Sequence, residues 1–297
     1  MDISLALGGG GARGNAHIGV IRRLLGEGYR IRAIAGTSAG GVIAAFYAAG
    51  YTPDEIEEIF TRMELNKLFG RSSADGPAIL GLAGASRLLG QYLGARTFAE
   101  LKIPCAVSAV DIQSASEVVM DQGRVVDAVL ATIALPALLP PQKIGDHQLV
   151  DGARMDPVPV SLARALKPKL PVVAVVLTPP LGQRTGTTHF QLPFRLPPAI
   201  MNRIKRLRVA QALDVFINST DATDRMLTEL RLHVDAPEVI IRPDVGHIQL
   251  LERVDVRHVV RLGEKATLAV LPQLRKAVSW PAQFWRNLFP RKLQSAM

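Results

Sequence analysis

Two hydrophobic periods alternate along this chain. Residues 3–7 are a short continuous apolar run of the length of a buried strand, and residues 31–35 are another. Between them Ile18, Ile21, Leu24 and Leu25 recur at helical spacing, and residues 42–49 read as a buried helix. Residues 53–65 predict a helix with Thr52 as N-cap and acids in its first turn. Further along, the pattern predicts a strand at 103–110, a hairpin over 112–124, a helix over 125–134 and a short strand at 148–150. A helix over 158–166 precedes a strand at 172–177, which Pro179 and Pro180 stop. Residues 182–198 lack periodicity and read as a long loop. Two helices, 199–219 and 221–232, a strand at 239–242 and a helix over 255–277 complete the pattern. Strands and helices alternating in this way predict a three-layer α/β fold, a mainly parallel central sheet flanked by helices. No internal repeat is visible.

Glycines punctuate two of the strand ends. Gly36-Thr37-Ser38-Ala39-Gly40 lies directly between the 31–35 strand and the 42–49 helix. A G-x-S-x-G turn between strand and helix lifts the serine hydroxyl off the sheet edge onto the positive end of the following helix. Only small neighbours tolerate the strained backbone, and Gly36 and Gly40 supply them. This pattern predicts a nucleophilic serine hydrolase.

Gly8-Gly9-Gly10-Gly11-Ala12-Arg13-Gly14 follows the first strand, and Asn15 opens a helical stretch. Consecutive glycines let backbone N–H groups converge on an anion, either a pyrophosphate or the oxyanion of an acyl-transfer intermediate. Gly9, Gly11 and Gly14 fit the dinucleotide fingerprint, which also wants an acid about 20 residues on to hold a ribose hydroxyl. Here the second strand, 30–36, ends in the serine elbow with no acid, which counts against a Rossmann reading. A standard α/β-hydrolase is disfavoured too, because several strands precede the elbow in that fold and only one does here.

A serine nucleophile needs a base. None of His17, His147, His189, His233, His247 and His258 stands in a context that singles it out. Asp151 does, at the end of the 148–150 strand and followed by Gly152 and Ala153. Asp-Gly is also an ordinary turn pair. As a base, this carboxylate must sit close to the serine, partly desolvated, with a raised pKa.

With these three motifs in order, the chain resembles the patatin-like phospholipase family, in the bacterial branch related to neuropathy target esterase. The resemblance rests on Gly9–Gly14, Gly36–Gly40 and Asp151-Gly152-Ala153, together with residues 16–20 and a block from Ala131 to Pro140, and it spans about residues 3–178. It implies a patatin-like fold and a Ser38–Asp151 dyad. The implied oxyanion hole is the loop of Gly9, Gly10, Gly11, Arg13 and Gly14, serving hydrolysis of fatty-acyl esters without metal or organic cofactor. Arg13 either shapes that loop or contacts a headgroup phosphate. Three positions depart from the family's usual residues: Thr132 for serine, Leu139 for phenylalanine and Asp156 for asparagine. The alternative is a non-catalytic member that binds lipid or protein.

Composition agrees with an intracellular globular enzyme: 297 residues, 48% hydrophobic, can bury a substantial core. Cys105 is the single cysteine, so no internal disulfide is possible. No secretory signal and no transmembrane helix are read, and the expected location is cytoplasmic. Residues 68–95, rich in glycine, alanine and serine, read as either a lid or a packed helical insertion. A net charge of +9 favours anionic partners, and Arg203, Lys205, Arg206 and Arg208 cluster on one segment, though no nucleic-acid module is present. Residues 1–278 are expected to form the hydrolase domain. Residues 279–297 form a basic, aromatic segment in which Ser279 could cap a helix bearing Trp280, Phe284 and Leu288, with Trp285, Phe289, Arg286, Arg291 and Lys292 beside that stripe. That segment suits either docking onto protein or peripheral contact with an anionic membrane. Oligomeric state is not readable.

Overall fold

The computed structural model of the chain describes residues 1–70, 78–183 and 208–288. Most of the expected 182–198 loop, the start of the helix expected from 199, Arg203, Lys205 and Arg206, and Phe289, Arg291 and Lys292 lie outside these residues.

The strands are β1 (Asp2–Leu7), β2 (Arg30–Thr37), β3 (Cys105–Asp111), β4 (Ser116–Met120), β5 (Gln142–Ile144), β6 (His147–Asp151), β7 (Val172–Val175) and β8 (Val239–Ile241). They form one sheet ordered β5-β6-β3-β2-β1-β7-β8, with β4 also paired to β3. From β3 through β8 the pairs are parallel, whereas β4, β5 and β6 add antiparallel pairs. The sheet is therefore mixed, with a parallel half and an antiparallel end.

Side-chain alternation divides the sheet faces by size. One face carries Ile3, Leu5, Leu7, Ile34, Val107, Val173 and Val175 into the larger core. That core is covered by α1 (Ala16–Gly26), α2 (Ala39–Ala49), α3 (Pro53–Arg62), α5 (Ala83–Leu93) and α6 (Val125–Thr132), with a one-turn α4 (Leu65–Leu68) before α5. The other face presents Ala6, Ala35, Ala106 and Ala174. These small residues let α7 (Val160–Leu166) lie close across β1, β2 and β7. Cys105 opens β3 in the core, and burial pushes its thiol up to about 12, which suits a packing residue.

Local signals explain several boundaries. Thr52 and Glu55 form a reciprocal capping box at the start of α3. The helices expected at 199–219 and 221–232 are one continuous helix where described, α8 (Arg208–Asp235). The cap-type residues Ser219 to Asp221 do not break it: the Thr223 hydroxyl donates to the Ser219 carbonyl, and that of Thr228 to the Asp224 carbonyl, one turn back. Conversely, the helix expected over 255–277 is two, α9 (Val256–Ala269) and α10 (Leu271–Ala277), because Pro272 fits only a first turn. α11 (Trp280–Leu288) ends the described chain. Ser279 stands just before it, its carbonyl accepting the Gln283 amide at 3.0 Å and its hydroxyl donating backwards to the Lys276 carbonyl.

Candidate active site

The site lies where three strand ends converge. Leu7 pairs with Gly36, so the loops after β1 and β2 leave the same sheet edge side by side. β3 brings in the third. Its residues 107–111 pair with β4 on one edge, so β2 and β6, which pair with parts of the same stretch, must share the other. Thr37 stands opposite Ser108 and Asp151 opposite Ala109, so the C-terminal tips of β2 and β6 meet head-on.

Ser38 sits at the apex with φ 53° and ψ −125°, a left-handed backbone that a non-glycine residue adopts only under constraint. A Cβ at Gly36 would run into the carbonyl of Gly40, and one at Gly40 into that of Leu7, so the turn closes only with glycine at both places. The Ser38 hydroxyl donates to Oδ2 of Asp151 at 2.6 Å, and Oδ1 of Asp151 accepts the Ala153 amide at 2.9 Å. Asp151 is buried, and desolvation raises its pKa, with the Ser38 bond, the Ala153 bond and the charge of Arg154 opposing. A backbone bond from the Asp151 amide to the Ala134 carbonyl, 3.0 Å, anchors its loop on the 131–140 block. Gly152 lets that loop lie on the Ser108 carbonyl.

Thr132 keeps the function of a hydroxyl at its position. Its Oγ1 accepts the Ser38 amide at 2.9 Å and donates to the Ser108 carbonyl at 2.6 Å. Leu139 is buried and lines the main cavity. Asp156 ties the other two loops: its amide donates to the Gly152 carbonyl at 2.9 Å, and its carbonyl accepts the Thr37 hydroxyl at 2.8 Å. Its carboxyl is fully buried with neither oxygen meeting a donor at good geometry, and desolvation, reinforced by Glu117, raises it to about 7.

In the glycine loop the amides divide between structure and the site. The Gly9 amide donates to the Pro157 carbonyl at 3.0 Å and that of Ala12 to the Leu250 carbonyl at 2.8 Å. Gly9 is thus a structural member of the expected nest rather than a free donor. The amides of Gly10 and Gly11 carry no hydrogen bond among the described residues. Gly11 has φ +54° and lies against the Leu250 backbone, and Gly14 lets the loop reach Ala39 at the start of α2. Arg13 is buried; its Nε donates to the Ile248 carbonyl at 2.6 Å and its guanidinium lies 3.5 Å from Asp221. Of its two expected roles, the geometry matches shaping the loop. His17 pins the same loop from beneath through Nε2 to the Gly8 carbonyl, 2.8 Å, and burial lowers its pKa to about 4, so the ring is neutral.

Several site neighbours had no motif to reveal them. On α8, Asp221, Asp224, Thr228, Arg231 and Asp235 recur at spacings of three and four and form one polar stripe facing the site loops. Asp221 pairs with Arg13, and Asp224 with Arg154. Nε of Arg231 donates to the Met155 carbonyl at 3.1 Å, and its guanidinium lies 3.7 Å from Glu117. Burial raises Asp224 to about 7 against the pull of Arg154. The opposite face of α8 turns Met226, Leu230 and Val234 to solvent. The signal was the three-four spacing of charges, which ordinarily marks a solvated face.

A cavity of about 500 Å³ opens beside Ser38 and Asp151, with an apolar wall that includes Val42, Phe46, Phe60, Leu89, Leu135 and Leu139. The 68–95 segment is a packed insertion where described: α5 and Leu68 form part of this wall. A smaller cavity of about 40 Å³ lies on the glycine-loop side, with Arg13, Arg154, Asp221 and Asp224 in its lining. No group of three or more metal-ligating side chains occurs among the described residues.

Residues 5–164 match the family model for the patatin-like phospholipases. The chain belongs to that family. An uncharacterized NTE family protein of Mycobacterium tuberculosis, Rv1063c, is 33% identical over 164 residues, 54% of this chain and 44% of the relative. Lysophospholipase NTE1 of Yarrowia lipolytica is 26% identical over 302 residues, 94% of this chain and 20% of that one. The chain thus spans less than half the length of these curated relatives. The crystal structure of VipD from Legionella pneumophila shares the fold, with a TM-score of 0.56 at 13% identity over 91% of this chain and 66% of VipD. The patatin-like phospholipase fold therefore accounts for the mixed sheet and its covering helices, and membership supports a lipolytic hydrolase.

Proposed function

We propose that the protein is a serine acyl hydrolase of phospholipase or lysophospholipase type, with Ser38 as nucleophile and Asp151 as base. The observation that carries this reading is the 2.6 Å bond from Ser38 Oγ to Asp151 Oδ2. Asp151 takes the hydroxyl proton as Oγ attacks an ester carbonyl. The oxyanion is held by the amides of Gly10 and Gly11, because those of Gly9, Ala12 and Ser38 are bonded elsewhere. The acyl group occupies the apolar cavity, and water activated by Asp151 then releases the fatty acid. The chemistry draws on these side chains and amides alone, without metal or organic cofactor.

The substrate is a lipid or other acyl ester, and peripheral contact with an anionic membrane is part of the same reading. Two exposed apolar stripes support it: Trp280 and Leu288 on α11, with Phe284 stacked 5.5 Å from Trp280, and Met226, Leu230 and Val234 on α8. Among the described residues no helix is long and apolar enough to cross a membrane.

A fluorophosphonate probe tests the chemistry. Labelling of the wild type, lost in Ser38→Ala and strongly slowed in Asp151→Asn, is the expected result, followed by Ser38-dependent turnover on a lipid panel. A folded wild type that neither labels nor turns over would leave a lipid- or protein-binding member of the family instead.

A further inference from the structure

The cavity beside Ser38 has a definable end. On α2 its lining residues are Ser38, Ala39, Val42 and Phe46, one helical face, and none lies beyond Phe46. On α3 they begin at Phe60, and on α5 they stop at Leu89. All three helices therefore lose contact with the cavity at the same level. At that level Phe46, fully buried, meets Phe60 edge-on at 5.8 Å between ring centres. Tyr51 and Tyr92, which do not line the cavity, back the Phe46 ring at 5.4 and 6.0 Å. The Tyr51 hydroxyl donates to the Tyr92 carbonyl at 2.7 Å and ties this backing together.

We propose that Phe46 is the floor of the acyl-chain site and limits the length of chain it seats, an inference that rests on reading Ser38 as the acylated residue. Eight helical residues separate Ser38 from Phe46, an axial distance of about 12 Å. Helical side chains lean towards the N-terminus, so the ring covers wall nearer to Ser38 than its own Cα. A saturated chain lying along α2 from Ser38 meets the ring after about eight carbons. The volume of about 500 Å³ makes the cavity broad rather than deep. Val42, one turn closer to Ser38 and half-buried, sets the width of the passage.

Binding separates this inference from the hydrolase reading. Octanoate, laurate and palmitate are titrated calorimetrically against Ser38→Ala protein, alone and combined with Phe46→Ala, Phe46→Leu or Val42→Phe. Affinity should rise about fourfold per methylene while the chain finds buried surface, then level off. The levelling point should move to longer chains in Phe46→Ala or Phe46→Leu and to shorter chains in Val42→Phe. In Ser38-intact protein the ratio of kcat/KM for octanoyl and palmitoyl p-nitrophenyl esters should move the same way, by about tenfold or more. A levelling point unchanged in the folded Phe46 variant and in Val42→Phe overturns the proposal. Shifted binding with no Ser38-dependent turnover anywhere supports the floor and sinks the hydrolase reading.

Discussion

Thr37 and Asp151 face consecutive residues of one strand: Thr37 pairs with Ser108 and Asp151 with Ala109. Because β2 and β6 approach along the same edge of β3 from opposite directions, the residue after Thr37 has nowhere to go but towards Asp151. The elbow and the carboxylate are therefore brought together by backbone pairing rather than by flexible side chains. Such placement matches what a base acting directly on a serine requires, since a displacement of about 1 Å can lower rate by about a hundredfold.

Replacing either member should expose that dependence. Ser38→Ala and Asp151→Asn are each expected to lower kcat by about 10³-fold or more, in line with other nucleophile–base pairs. Asp151→Asn should not lower the melting temperature, because it removes a carboxyl that burial already disfavours as an ion. Steady-state kinetics and thermal melts check the two halves.

The pH profile of kcat/KM should carry an acid limb from Asp151. Burial raises its pKa, so the limb is expected above the range of an exposed aspartate, about 4. Arg154 opposes that rise, so Arg154→Gln should move the limb to still higher pH. A limb that stays put in Arg154→Gln contradicts the arrangement.

Much of this site was legible in the sequence because its parts are local. An apolar run followed by glycines marks a strand end and loop, and G-x-S-x-G marks the elbow because it lies between two apolar segments. Asp151 was readable from its place at a strand end, although the partner strand that aims it was not. The polar stripe of α8 stayed hidden because its partners Arg13, Arg154 and Glu117 lie far away in sequence, so its charges looked like a solvent face. Its outward residues Met226, Leu230 and Val234 are apolar and exposed, the reverse of an ordinary amphipathic helix. The binding of the Gly9 amide by Pro157 follows from loop packing, which no motif encodes.

Asp156 and His17 should give the stability opposite pH dependences. Burial holds the Asp156 carboxyl at about 7 in the folded state, above the ordinary aspartate range, so the folded state holds the extra proton and stability falls as pH rises from about 4 to 7. His17 has a folded pKa of about 4, below 6.5, so its contribution is lost as pH falls through the same window. The two slopes partly cancel in the wild type. Asp156→Asn should stabilise the protein at pH 8 by roughly 2–4 kcal/mol and leave it little changed near pH 4. It should also unmask the His17 slope, a rise of roughly 3 kcal/mol between pH 4 and 6.5. Urea unfolding at pH 4.5, 6 and 8 measures both; an Asp156→Asn protein with the wild-type pH dependence refutes the assignment.

Membrane contact makes a separable prediction because the two exposed stripes lie on different helices. On α8 the inner face pairs with Arg13 and Arg154 of the site loops, so lipid seated on Met226, Leu230 and Val234 would lie across the helix from those loops. On α11, Trp280 is 74% exposed, so its aromatic surface is available to an interface. Each exposed side chain can be changed with little effect on folding. Flotation with vesicles containing anionic lipid should fall several-fold in Met226→Glu/Leu230→Glu, in Trp280→Ala/Leu288→Ala, or in both, while hydrolysis of a short water-soluble ester stays at the wild-type rate. High salt should weaken binding to anionic vesicles, given the net charge of +9. Flotation unaffected by either double variant removes both stripes from the lipid-facing surface and leaves them as contacts for protein.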